Sequence, residues 1–263
     1  MRWILLAIAG LSPPLVGGQD DPGDPAVVFL ALPLGDCTGT LVSARVVLTA
    51  AHCLAGVASD EIAAFFGQDI GGEGSWRQAA GHVLHESADL AVVLLDAPGP
   101  ATPIPLATGD LGDDIVGAPL RLVGFGVADG LSGAGRKREG DARLESLDDE
   151  HLYLAASDAV TCYGDSGGPA LLIDPDGVER LAGVTSRGPS LCQGPGPRAE
   201  ARVDTERGWI ESQIDALDPD RCRRDCPLPE PHLRGPETGC GASVCFPYLG
   251  LFWPRRHRRD HRN

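Results

Sequence analysis

Apolar residues along this chain come in short runs and seldom at helical spacing. Ala26 to Leu32 is apolar and rich in β-branched residues, and Leu90-Ala91-Val92-Val93-Leu94-Leu95 is continuously apolar. Runs of this length, bounded by turn residues, predict buried strands. Cys37 to Val42, Arg45 to Thr49, Ala63 to Phe66 and Trp76 to Leu84 extend the series, the last two separated by Gly71-Gly72-Glu73-Gly74. A proline-rich crossing, Pro98 to Pro105, leads to further strands at Leu120 to Gly126, Ala142 to Leu147, His151 to Leu154, Ala170 to Ile173 and Glu179 to Thr185. Asp174-Pro175-Asp176-Gly177 between the last two predicts a hairpin turn, with Ca²⁺ binding as the other use of its carboxylates. The charged, Gly-rich stretch from Asp129 predicts a mobile loop ahead of Ala142. Helical spacing stands out in Arg207 to Leu217, where Ile210, Ile214 and Leu217 share a face. The expectation is a mostly β protein in two halves of similar length.

Composition agrees: 35 Gly and 22 Pro among 263 residues favour short strands and turns over long helices. Met1-Arg2, the apolar run Trp3 to Leu11 and then Ser12-Pro13-Pro14 read as an export signal, too short to anchor in a bilayer. Eight cysteines suit that compartment and predict disulfides; no persuasive zinc set stands among them. The net charge is −15, although the last nine residues carry +4, so the rest holds −19. An acidic body of this kind argues against nucleic-acid binding.

Candidate chemistry begins at Thr161-Cys162-Tyr163-Gly164-Asp165-Ser166-Gly167-Gly168-Pro169-Ala170, a serine set among glycines on a tight turn. A hydroxyl becomes a useful nucleophile only when a base takes its proton, and imidazole is a suitable base. His52 follows a strand between small alanines and Cys53, and a bond from Cys53 to Cys37 would staple its turn in place. Asp89 stands at the mouth of an apolar strand, where a buried carboxylate needs a partner such as a histidine N–H. The order His52, Asp89, Ser166 is that of the chymotrypsin arrangement among triads.

With these stretches the sequence resembles a serine protease of the trypsin/chymotrypsin family, of a bacterial secreted kind. The matching motifs are Cys37 to Val42, Thr49-Ala50-Ala51-His52-Cys53, Asp89 to Leu94, Gly124-Phe125-Gly126 and Gly164 to Pro169, with Val184-Thr185-Ser186 and Trp209-Ile210 in support. The likeness covers about residues 15 to 217. It implies two antiparallel six-stranded Greek-key β-barrels with a C-terminal helix. It also implies an endopeptidase working through an acyl-enzyme, with His52 as base then acid, Asp89 orienting it and Ser166 as nucleophile. The N–H groups of Gly164 and Ser166 would form the oxyanion hole, Ser186 would bond Asp89, and Cys162 would pair with Cys192 across the specificity pocket. Protein or peptide substrates, no cofactor, no metal and a monomer are expected. A catalytically silent, protease-shaped binding protein is the alternative.

Three departures from the family matter. Where tryptic enzymes carry an Asp six residues before the serine this chain has Val160, which gives a cationic side chain no partner. Arg187 precedes Gly188 where an aromatic residue is frequent, and Arg198 falls near the strand closing the pocket. The expectation is a preference for acidic or small apolar side chains before the scissile bond. The family's activating N-terminus resembles Leu15-Val16-Gly17-Gly18, whose new amine would pair with Asp165, but it overlaps the signal. Cleavage after Gly18 would lose it, whereas cleavage near Gly10 would leave a short propeptide. The expected divisions are therefore 1–18 signal, 19–217 peptidase, 218–250 a cysteine- and proline-rich tail, and 251–263 a basic end. Cys222, Cys226, Cys240 and Cys245 suggest a stapled knot in that tail, and its close faintly resembles a bacterial surface-sorting signal without an apolar run long enough to span. A secreted or periplasmic location follows, with the tail a candidate for cell-surface association.

Overall fold

The computed structural model describes residues 18–128, 133–155, 160–189, 192, 194 and 196–219. The expected signal, the Leu15 start and the tail cysteines lie outside them. Six strands, β2 (Val27–Ala31), β3 (Cys37–Leu41), β4 (Val46–Thr49), β5 (Ala63–Gly67), β6 (Gly74–Leu84) and β7 (Ala91–Leu95), close a first antiparallel barrel in the order β2-β3-β4-β7-β6-β5. Six more, β8 (Pro119–Gly124), β9 (Arg138–Leu147), β10 (His151–Leu154), β11 (Pro169–Ile173), β12 (Glu179–Arg187) and β13 (Arg198–Arg202), repeat that order as β8-β9-β10-β13-β12-β11, closed by β8 on both β9 and β11. The repeat of one Greek-key order in each half is the two-barrel architecture expected from the motifs. A two-residue strand, β1 (Gln19–Asp20), lies on the edge of β9.

Why these runs become strands is visible in their burial. β4 and most of β2 and β7 are buried continuously, as barrel strands covered on both faces must be. β6 alternates over its first half, with Gly74, Trp76, Gln78 and Ala80 exposed and Ser75, Arg77 and Ala79 between them half-buried. The main apolar core fills the first barrel and runs across to Val123, Phe125, Leu171 and Val184 of the second, so the barrels share a packed seam. A smaller core, including Leu120, Leu122, Leu144, Leu152 and Leu172, fills the second barrel. The helix Arg207–Leu217 buries Ile210 and Ile214, and Leu217 packs on the core edge.

The hairpin turn at 174–177 forms as expected, with Gly177 in the left-handed region. Arg180 occupies its carboxylates, reaching Asp174 at 3.0 Å and Asp176 at 2.7 Å. The loop expected from Asp129 ends early, because β9 already starts at Arg138. Lys137 and Arg138 are buried there, Lys137 donating to the backbone oxygen of Asp24.

Candidate active site

The turn that carries His52 is a one-turn helix, α1 (Ala51–Leu54), entered from the extended Ala50, which is fully buried. The Cys37–Cys53 disulfide ties it to β3, with Cα atoms 6.3 Å apart. Closing a loop of this length is worth about 3 kcal/mol by chain entropy. Serine at both positions should therefore lower the unfolding free energy by about that amount, and denaturant melts of the two proteins would measure it; an unchanged midpoint would show the bond to be idle.

Asp89 gathers three donors. The His52 ring Nδ1 lies 2.8 Å from its Oδ2, the His52 backbone N–H donates to Oδ1 at 2.9 Å, and the Ser186 hydroxyl donates to Oδ2 at 2.6 Å. Burial alone would raise the Asp89 pKa, but these hydrogen bonds and the His52 ring outweigh it and hold the carboxyl below its usual range. A carboxylate facing Nδ1 places the imidazole proton there, leaving the Nε2 lone pair free to accept a proton. The turn that leads into Asp89 is held by a side chain that motif reading passed over. His85 accepts at Nδ1 from the N–H groups of Ser87 and Ala88, while its Nε2 lies 3.0 Å from Glu206 and its ring meets Trp209 edge-on.

Ser166 arrives from the second barrel, and a single threonine of the first docks it. Thr38 donates its N–H to the Ser166 carbonyl at 2.8 Å and its hydroxyl to the Gly164 carbonyl at 2.8 Å, and that hydroxyl accepts from the Phe125 N–H. Gly167 sits at φ +82°, and a side chain there would run into Thr38 and Thr49, so only glycine permits this close seating. Cys53 lies between the two candidates, its sulfur 3.9 Å from His52 Nε2 and 3.8 Å from the Ser166 carbonyl oxygen. The Ser166 hydroxyl itself makes no hydrogen bond among the described residues; such contacts are often long before substrate binds. The N–H groups of Gly164 and Ser166 also have no protein acceptor among the described residues, which leaves two donors on one turn. His52, Cys37 and Cys53 come within metal-ligand range of one another, but the two sulfurs are bonded together.

Asp165 is buried beneath this turn. Its oxygens accept from Gly126 N–H and Cys162 N–H at 2.8 Å each, and among the described residues no ion pair reaches it. Burial pushes its pKa up to about 7 against the pull of those N–H groups and of Arg138 at longer range. A second acid, Glu200 on β13, is fully buried nearby. Neither of its oxygens has a hydrogen bond of ordinary geometry, and burial, with the Asp165 charge added and the Thr185 hydroxyl opposing, pushes it up to about 8.

Around the expected specificity pocket, Cys162 and Cys192 are bonded with Cα atoms 5.1 Å apart, and Val160 packs against them. Arg198 is 6 % exposed beside them, its Nη2 donating to the Cys192 carbonyl at 2.7 Å and reaching the Gly194 carbonyl at 3.5 Å. Arg187 turns elsewhere, with Nη2 2.6 Å from Nε2 of His151. It helps line a polar cavity of about 460 Å³ beside Asp89 and Ser186, with Ser87, Glu150, His151 and Glu206 as further walls. Gly188 stays at the end of β12 against the Arg198 stem.

Known proteins are similar to this chain in sequence and in fold. The family model described as Trypsin matches residues 15–210. Serine protease 56 of Mus musculus is 31% identical over 237 residues, which cover 77% of this chain and 39% of that protein, so the chain spans about two fifths of the mouse relative. A protein named trypsin from Saccharopolyspora erythraea is 30% identical over 230 residues, covering 77% of this chain and 99% of that one. Among solved structures, scabies mite inactivated protease paralogue S-D1 superposes with a TM-score of 0.66 at 20% identity, covering 77% of this chain and 98% of that one, a likeness of fold.

Proposed function

The chain belongs to the trypsin family, and from that premise we propose that it is an exported serine endopeptidase of non-tryptic specificity, with His52, Asp89 and Ser166 as its working groups. The observation that carries this reading is the triple acceptance at Asp89, which orients the His52 ring and leaves Nε2 as a base. On binding substrate, Ser166 Oγ attacks the scissile carbonyl carbon while its proton passes to His52 Nε2. The oxyanion that forms takes the Gly164 and Ser166 N–H groups, donors that each lower the barrier by about 3 kcal/mol in sites of this kind. His52 then gives the proton to the leaving amine, the C–N bond breaks, and water releases the acyl group by the same exchange in reverse. Val160 offers no charge to an Arg or Lys side chain, which supports the non-tryptic part.

A second reading, a catalytically silent protein that binds through the same surface, is favoured by the Ser166 hydroxyl's lack of a hydrogen bond, and by the lack of an ion pair at Asp165, among the described residues. A fluorophosphonate probe on the secreted, N-terminally sequenced chain separates the two. Labelling that disappears in Ser166→Ala supports the endopeptidase; a correctly processed chain that resists the probe belongs to the second reading. Sequencing also shows whether Leu15 becomes the N-terminus that could meet Asp165.

A further inference from the structure

Arg198 is a buried cation with no anion among the described residues. Among the described residues no carboxylate pairs with it, its Nε is buried without an acceptor, and only two backbone carbonyls take Nη2. Burial alone acts on its pKa, downward, with no acid opposing the shift. Taking a guanidinium out of water without a counter-charge is costly, and proteins normally provide the partner. Glu200, two residues along the same strand, does not serve, because it makes no ion pair with Arg198 and is held protonated below about pH 8. The Arg198 stem lies along Gly188 at one wall, and its head is held by the Cys192 carbonyl at the other. The guanidinium therefore lies beside Cys192, which packs with Val160 and its disulfide partner Cys162 in one small apolar cluster.

We propose that Arg198 is an anion receptor in the specificity pocket and that the chain selects substrates with aspartate or glutamate immediately before the scissile bond. The proposal rests on the endopeptidase reading for its cleavage step, though the receptor itself can be tested without it. A side-chain carboxylate entering the pocket would supply the missing counter-charge and accept the unused N–H donors, a charge-assisted contact that a neutral side chain cannot copy. Arginine or lysine entering there would meet like charge and no acceptor. The guanidinium also fills part of the space, which disfavours large apolar side chains.

The test is a set of fluorogenic peptides identical except for Asp, Glu, Ala, Leu or Arg at that residue, given to the processed full chain. The expected result is kcat/KM at least 30-fold higher after an acidic residue than after Ala. Arg198→Gln should erase that ratio while the fluorophosphonate still labels Ser166, and Arg198→Lys should retain part of it. A thermal melt confirms that both variants fold, and the ratio among peptides reports recognition that a purely structural arginine would not alter. Fastest cleavage after Arg or Leu, or an acidic preference untouched by Arg198→Gln, overturns the proposal. If the wild-type chain is not labelled, the endopeptidase reading fails separately, and calorimetric titration with peptides ending in Asp or in Asn decides the receptor. At least tenfold tighter binding of the Asp peptide, lost in Arg198→Gln, supports it; equal affinities or no binding of either peptide overturn it.

Discussion

Alanine at Ser166 should lower kcat by about 10⁶-fold on the best peptide substrate, the scale at which removing a triad nucleophile acts elsewhere. The backbone donors of Gly164 and Ser166 survive that change, so the residual rate measures what they and binding contribute without a nucleophile. Asn at Asp89 should act almost as strongly, at about 10⁴-fold, by a different route. Asp89 accepts from three donors, and the amide of an asparagine presents N–H where one oxygen now accepts. The His52 ring would turn its lone pair to Nδ1 and its proton to Nε2, the wrong end for a base. Stopped-flow or steady-state kcat on purified variants checks both numbers. More than 1% of the wild-type rate in Ser166→Ala, beyond what contaminating protease explains, would remove Ser166 from the role.

The strands with continuous apolar runs were legible because a barrel strand covered on both faces has nowhere to put a polar side chain. β2, β4 and β7 are of this kind, and the three site motifs were legible because each combines a rare residue with small neighbours that let backbones approach. β13 was not legible as a strand from its own residues, although the resemblance placed one near Arg198. Its Arg198, Glu200 and Arg202 alternate with alanines as on an exposed surface, yet all five residues are buried. Arg202 is accommodated by Asp204 and by the carbonyls of Asp148 and Leu111, partners that only the closed barrel assembles. Thr38 and His85 were passed over for a related reason. Their work consists of hydrogen bonds to backbone, Thr38 to residues 87 and more positions away, and such bonds leave no pattern along the chain. Arg187 shows the converse: sequence position placed it at the pocket, but His151 draws its side chain to the cavity beside Asp89.

Stability should fall as pH rises from 5 to 8, and Glu200→Gln should abolish about half of that fall, the rest belonging to Asp165. Both buried acids have folded-state pKa values raised above their unfolded values, Asp165 to about 7 and Glu200 to about 8. Between the unfolded and folded values the folded chain keeps protons that the unfolded chain has released, so raising the pH favours unfolding. The loss begins near the ordinary carboxylate range and levels off only above about pH 8, once the folded acids also ionise. For Glu200 alone the cost at pH 8 is on the order of 4 kcal/mol, at 1.36 kcal/mol per pKa unit. Glutamine keeps the shape and cannot ionise, so the variant should exceed wild type at pH 8 by a few kcal/mol and match it near pH 5. A cation brought to Asp165 would change the picture in one direction only: it would ionise that acid, lower its pKa and flatten the wild-type curve. Urea melts at pH 5, 6.5 and 8 on chains of sequenced N-terminus give the slope directly. A wild-type stability that rises over this range, or a Glu200→Gln variant parallel to wild type, would mean that Glu200 is ionised in the folded protein beside a partner yet to be found.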